Sequence, residues 1–265
     1  IGAFWMLIIP LLMLAYLGFY YLKLASPVRS WVAPLVAAAC AALMLHIGFT
    51  YVNNLTLTLT PDKWLSLYQA SPAGFNLNQG EAMRWPRLAL FLSPSLCIAG
   101  LSLLFLAKHR SRWPDCELIA RFGRRSYIAG AYLTVLAGYF CVQRLPESVL
   151  TRLSIDPSAL GFLLIAVTSL ALGLLFALFS NFKRGLWAPI GATVCTILCL
   201  ASVYVIRDLV RIEYLRPYFS PATVAVNPQW GMFSFFLLMI SLGVLCLLWL
   251  TAKILRERSS ISLGS

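Results

Sequence analysis

Seven stretches of this chain run for roughly twenty residues with almost no charge, the length a helix needs to cross a hydrocarbon core of about 30 Å. They are Gly2 to Leu24, Trp31 to Thr50, Leu88 to Ala107, Tyr127 to Val142, Leu160 to Ser180, Leu186 to Ile206 and Met232 to Ala252, the fourth being the shortest. In lipid every backbone N–H and C=O must be paired without help from water, so a spanning chain is helical or closes into a barrel. A barrel alternates apolar and polar residues along each strand, and no such alternation runs through this sequence. Of its 265 residues, 60% are hydrophobic and 11% charged, against roughly 25% charged in soluble domains. The expectation is an all-α integral membrane protein: one seven-transmembrane-helix bundle over residues 1–265, with an ordered outer cap at 51–87. Gly2 to Leu24 is read as a true span, being long for a cleaved signal and lacking a basic n-region.

Charge sets the expected orientation, because cytoplasmic connections collect Lys and Arg. One set of alternate connections, with the C-terminal end, holds 13 of the 21 basic residues and three of the nine acids, and its most basic stretch runs from Lys108 to Arg125. The other set holds eight basic residues and six acids. The N-terminus is therefore expected outside and the C-terminus in the cytoplasm. The formal charge of +12 follows from this topology, and nucleic acid is not expected as a partner.

Three connections lie on the expected outer side. The longest, Tyr51 to Arg87, contains Leu55-Thr56-Leu57-Thr58-Leu59-Thr60, a period-2 pattern that predicts an extended segment, and then Pro61-Asp62-Lys63-Trp64, which predicts a turn and a helix start. Pro146 to Leu153 suits a short interfacial helix, and Tyr214 to Trp230 is aromatic and punctuated by proline. Together they suggest one docking surface.

Candidates for chemistry are few. Six of the seven cysteines lie in or beside apolar spans, where they act as small hydrophobes. There is no C-x-x-C-H, so no covalent haem c is expected, and no Cys/His grouping has zinc spacing. No acidic residue lies inside an apolar core, which counts against an ion-coupled transporter. Phosphate-loop, zinc-protease and serine-hydrolase motifs are also missing.

His46, within the second span, is the exception. An ionisable side chain inside a span is costly and is by default a functional-site hypothesis. Three readings stand beside one another: a neutral imidazole bonded to a neighbouring helix carbonyl, a haem iron ligand, or a base that takes a proton from a bound quinol. Counted back from Thr50, His46 sits about one turn inside the outer end. Tyr51, Asn53 and Asn54 follow within two turns and offer hydrogen bonds to a headgroup at that depth. In the sixth span Tyr204, Arg207, Arg211 and Tyr214 recur at i, i+3, i+7 and i+10, and share a face if the helix continues. Asp208 lies three residues before Arg211, so the pair either neutralises itself or leaves two guanidinium forks for carboxylates, such as haem propionates or a partner's acidic groups.

The segments His46-Ile47-Gly48-Phe49-Thr50-Tyr51-Val52-Asn53-Asn54-Leu55-Thr56-Leu57, Trp85-Pro86-Arg87 and Arg207-Asp208-Leu209-Val210-Arg211 resemble membrane subunits that accompany multihaem c-type cytochromes in bacterial respiratory complexes. The resemblance implies a quinone-interacting or haem-b-type subunit of a quinol:cytochrome oxidoreductase with a c-type cytochrome as partner. In haem-b subunits of that sort two facing histidines ligate each iron. Here the third span opens Pro86-Arg87-Leu88-Ala89-Leu90-Phe91, without histidine, so this chain supplies at most one ligand, His46. The expected function is quinol binding near the outer face and electron transfer to a docked cytochrome. The alternatives are a non-catalytic anchor or assembly subunit for a periplasmic partner, and a transporter or lipid-handling protein.

Overall fold

The computed structural model describes residues 2–24, 31–71, 73–75, 77–78, 80–109, 114–180, 185–218, 220 and 227–262, with side chains as far as Lys253. Among them are nine α-helices: α1 (Gly2–Leu24), α2 (Val32–Leu57), α3 (Trp64–Ala70), α4 (Arg84–His109), α5 (Cys116–Val142), α6 (Glu147–Ile155), α7 (Pro157–Phe179), α8 (Trp187–Leu215) and α9 (Trp230–Ser262). A 3-10 turn, Pro61–Lys63, precedes α3. No strand occurs among the described residues.

Six of these helices (α1, α2, α4, α7, α8 and α9) are long and apolar enough to cross a membrane. Glu117, Arg121, Arg124 and Arg125 interrupt the first part of α5, which reaches the seventh position only when taken with α6, at 115° to it. The number of spans is thus six, or seven with that bent pair. The chain is a membrane protein, and where its side chains sit gives the reason. Its buried positions are filled largely by small residues, such as Ala15, Cys40, Ala107, Ala131, Ala177 and Ala192, while Leu, Phe, Trp and Met crowd the exterior. Lipid tails are as apolar as leucine, so burying large side chains gains little and close backbone packing decides the contacts.

The largest contacts pair helices adjacent in the chain: α4 with α5, α7 with α8, and α1 with α2. On α4 the buried residues Ser93, Cys97, Gly100, Leu101, Leu104 and Ala107 form one helical stripe. It faces Gly123, Tyr127, Gly130, Ala131, Thr134 and Ala137 of α5. The spacing of about three and four residues is that of one helix face. A Cβ on Gly100 would stand 2.6 Å from the Tyr127 nitrogen, and one on Gly123 would stand 2.8 Å from the Gly100 carbonyl. Only glycine permits this approach. Tyr127, Cys97 and Leu101 then meet Ala177 of α7 and Ala192 of α8, which makes the core of the first unit.

The chain divides into two compact units, 1–219 and 220–265. The second holds α9, whose Trp230 and Phe233 rings pack edge to face at 6.1 Å and whose Lys253 lies over Trp249 at 5.6 Å.

Within the first unit the antiparallel pairs gather the connections at 58–83, 143–156 and 216–218 at one end, here called the capped end. The extended segment expected over Leu55–Thr60 is instead helix: α2 runs to Leu57 and closes with Thr58 and Thr60 bonded back to Asn54 and Leu57. Each threonine hydroxyl at 56, 58 and 60 also bonds a carbonyl three or four residues earlier. Local backbone capture by threonine outweighs the alternating pattern here. The turn and helix start at Pro61–Trp64 and the short helix after Pro146 form as expected. Residues 219 and 221–226 of the third connection lie outside the described residues, as do Arg29, Arg110, Arg112, Lys183 and Arg184.

Candidate functional site

His46 stands in the middle of α2, and because the helix continues to Leu57 it lies eleven residues, about 16 Å, from the helix end. That is deeper along the element than counting from Thr50 suggests. Its side chain is exposed and has no hydrogen-bond partner among the described residues; its carbonyl accepts from the Thr50 hydroxyl at 3.0 Å. His46, Thr50 and Asn53 follow at i, i+4 and i+7, on one stripe of α2. Along this stripe burial changes abruptly: His46 is open, whereas Thr50 and Asn53 are 1% and 0% exposed.

The covering comes from the connection into α4. Asn53 Oδ1 accepts from the Asn78 backbone N–H at 3.2 Å, and Arg84 Nη1 donates to the Asn78 carbonyl at 3.1 Å. The Arg84 guanidinium lies 5.4 Å from the Phe49 ring and 5.1 Å from that of Trp85, and the two rings are 5.7 Å apart. Cation–π contacts are worth about 0.5–2 kcal/mol. Lys63 bonds Glu81 at 3.0 Å, and Trp64 donates its indole N–H to the Leu57 carbonyl at 2.8 Å. From α1, Phe4 meets Phe75 at 6.1 Å and Trp5 meets Tyr51 at 4.8 Å. The Tyr51 ring of α2 thus lies exposed against α1, and Asn54 contributes its carbonyl to the end of α2.

On α8 the helix does continue, to Leu215. Tyr204, Arg207 and Arg211 are exposed along it. Arg211 reaches Asp208 at 4.0 Å, the self-neutralising arrangement. Tyr214 turns inward beneath Arg87, 6.0 Å away. Glu213 receives Arg216 at 3.6 Å and Arg152 of α6 at 3.5 Å. Beside it Arg152, Asp156, Leu209 and Ile212 line a cavity of about 200 Å³. The loop after α8 returns to the cap through Tyr218, whose hydroxyl donates to Asp62 at 3.3 Å.

The structure therefore brings Asn53 into a closed cluster but leaves His46, Tyr204, Arg207 and Arg211 on open surfaces of different helices. Sequence reasoning missed Arg84 and Asn78. One signal was available: Arg84 and Arg87 open α4, which has no acid in its first turn, and cations at a helix N-terminus oppose the macrodipole.

A haem held between two histidines does not fit this arrangement. His109 is the last residue of α4, at the end opposite the cap, about 38 Å along that helix from Arg84. No group of three or more His, Cys, Asp or Glu side chains suited to a metal occurs among the described residues. The chain matches no protein family, no curated protein and no solved structure, so its chemistry is read from its own residues.

Proposed function

We propose that this chain is the membrane subunit of a respiratory electron-transfer complex in a bacterial inner membrane, with its N-terminus and capped end outside and its C-terminus in the cytoplasm. The observation that carries the reading is the position of His46: an imidazole exposed on a helix among lipid-facing apolar residues, on the stripe that ends at buried Asn53. A quinol reaches such a group from the bilayer without crossing water. His46 takes a proton from the quinol hydroxyl, since imidazole is the side chain whose ordinary pKa suits that exchange near neutrality. Oxidation of one quinol to quinone releases two protons outward and two electrons, which pass to a c-type cytochrome docked on the cap. The redox metal belongs to that partner, and this chain supplies binding and orientation.

A second reading, the non-catalytic anchor, is favoured by two side-chain ties, Lys63 to Glu81 within the first connection and Tyr218 to Asp62 between two connections, which hold the capped end as one platform. Quinol-driven cytochrome reduction by the purified complex separates the two. His46→Ala is expected to lower the rate at least about ten-fold while the cytochrome still copurifies. A wild-type rate in that variant sinks the quinol reading, and release of the partner by Asp62→Asn combined with Lys63→Ala then supports the anchor.

A further inference from the structure

Among the described residues three buried side-chain donors at the capped end have no hydrogen-bond partner: Asn53 Nδ2, Asn78 Nδ2 and Arg84 Nε. They belong to one connected unit, because the Asn78 main chain bonds both Asn53 and Arg84. The three residues are 0%, 5% and 8% exposed. Every unmet group in this unit is a donor, and one of them sits on a cation.

No carboxylate pairs with Arg84 among the described residues. Glu81, the acid nearest in sequence, is bonded to Lys63. The Phe49 and Trp85 rings flank the guanidinium, but ring attraction does not give its buried Nε a hydrogen-bond acceptor. The N-terminal end of α4, which has no acid in its first turn, adds positive potential to the same place.

We propose that Asn53, Asn78 and Arg84 form a binding site for one phosphate group. A water molecule has two lone pairs, one too few for three donors, and brings no charge against Arg84. A tetrahedral oxyanion brings both, and its oxygens accept from guanidinium and amide N–H groups alike. The three nitrogens are sealed from solvent, so the phosphate enters as the side chains of Asn53, Asn78 and Arg84 part. Two sources share this chemistry: free inorganic phosphate, and the headgroup of an anionic phospholipid at the membrane interface. The site is independent of the quinol reading, since it does not use His46.

The test uses the full chain purified in detergent. Its thermal midpoint is read in sodium phosphate against sodium chloride at equal ionic strength, and retained lipid is read by native mass spectrometry after passage through nanodiscs with and without phosphatidylglycerol. The variants are Arg84→Gln and Asn78→Ala. Asn78 makes its hydrogen bonds through the main chain, so Asn78→Ala removes an unmet donor and leaves the fold intact. A phosphate-dependent rise that is lost in Arg84→Gln and needs about ten-fold more phosphate in Asn78→Ala establishes a free-anion site. Retention of phosphatidylglycerol without a phosphate effect, weakened in the same variants, establishes a headgroup site. If Arg84→Gln does not fold, the Asn78→Ala comparison decides alone. Equal behaviour of wild type and Asn78→Ala towards both probes overturns the proposal.

Discussion

Tyr127 of α5 and Thr196 of α8 meet hydroxyl to hydroxyl at 2.9 Å, beside the core of the first unit. Thr196 also donates to the Ala192 carbonyl at 2.7 Å, which uses its only hydroxyl proton, so Tyr127 is the donor between them. The ring itself is wholly buried. Replacing Tyr127 by Phe removes one interhelical hydrogen bond and is expected to cost about 0.6 kcal/mol, and no more than about 1.7. Tyr127→Ala also empties the space of the ring and is expected to cost about 3–5 kcal/mol. Unfolding in mixed micelles as the denaturing detergent fraction rises checks both values; equal losses would mean that packing contributes nothing there.

Close backbone approach makes a separate prediction. A Cβ at Gly100 would press on α5 main-chain atoms that have no rotamer to change, whereas one at Gly138 meets nothing within 4 Å. Gly100→Ala is expected to destabilise by about 1–3 kcal/mol, and Gly138→Ala to be neutral or slightly stabilising. The same unfolding titration tests the pair, and a neutral Gly100→Ala would show that α4 and α5 separate easily.

Because His46 is exposed and makes no side-chain hydrogen bond among the described residues, its loss should be felt in activity and not in folding. His46→Ala is expected to keep its unfolding midpoint within about 0.5 kcal/mol of wild type. A large drop in stability would assign the residue a structural bond instead.

Glu213 holds two guanidinium groups that are each about half exposed, Arg152 at 54% and Arg216 at 53%. Pairs of this kind contribute about 0–1 kcal/mol and weaken as salt screens them. Glu213→Gln is therefore expected to cost less than about 1 kcal/mol in low salt and close to nothing in high salt. A salt-independent loss would contradict the surface character of the cluster.

Partial desolvation, and after it the Asp62 carboxylate, hold the Tyr218 phenol above its ordinary range. A raised phenol favours the protonated folded form, so the Tyr218 to Asp62 tie is present below the unfolded tyrosine value near 10 and is lost as pH rises through the higher folded value. The ultraviolet titration difference between wild type and Tyr218→Phe is expected to place Tyr218 later than a free tyrosine, and Asp62→Asn to move it part of the way back. An unshifted midpoint in both backgrounds would remove this tie from the cap.

Parts of the candidate site were legible in the sequence. His46 stood out because a span with one ionisable side chain has one residue to explain. Asn53 was identified only as a neighbour of His46, and its burial could not be foreseen, since burial depends on where Asn78 returns after twenty-five residues of connection. Arg84 was hidden because it lies just before the apolar run that begins at Leu88, where arginines ordinarily reach for headgroups.

Apolar run length by itself determined that the chain is helical and lies in a membrane, because a backbone in lipid has no other way to pair its polar groups. It also located α1, α2, α4, α7, α8 and α9, whose cores are continuous apolar segments. Only the tertiary structure decided which faces meet. In lipid large apolar side chains do not distinguish inside from outside, so the choice falls to Gly100, Gly123 and Gly130, whose missing Cβ lets α4 and α5 touch, and to a hydroxyl pair between α5 and α8. The same packing closes Asn53, Asn78 and Arg84 together, which a linear pattern cannot specify.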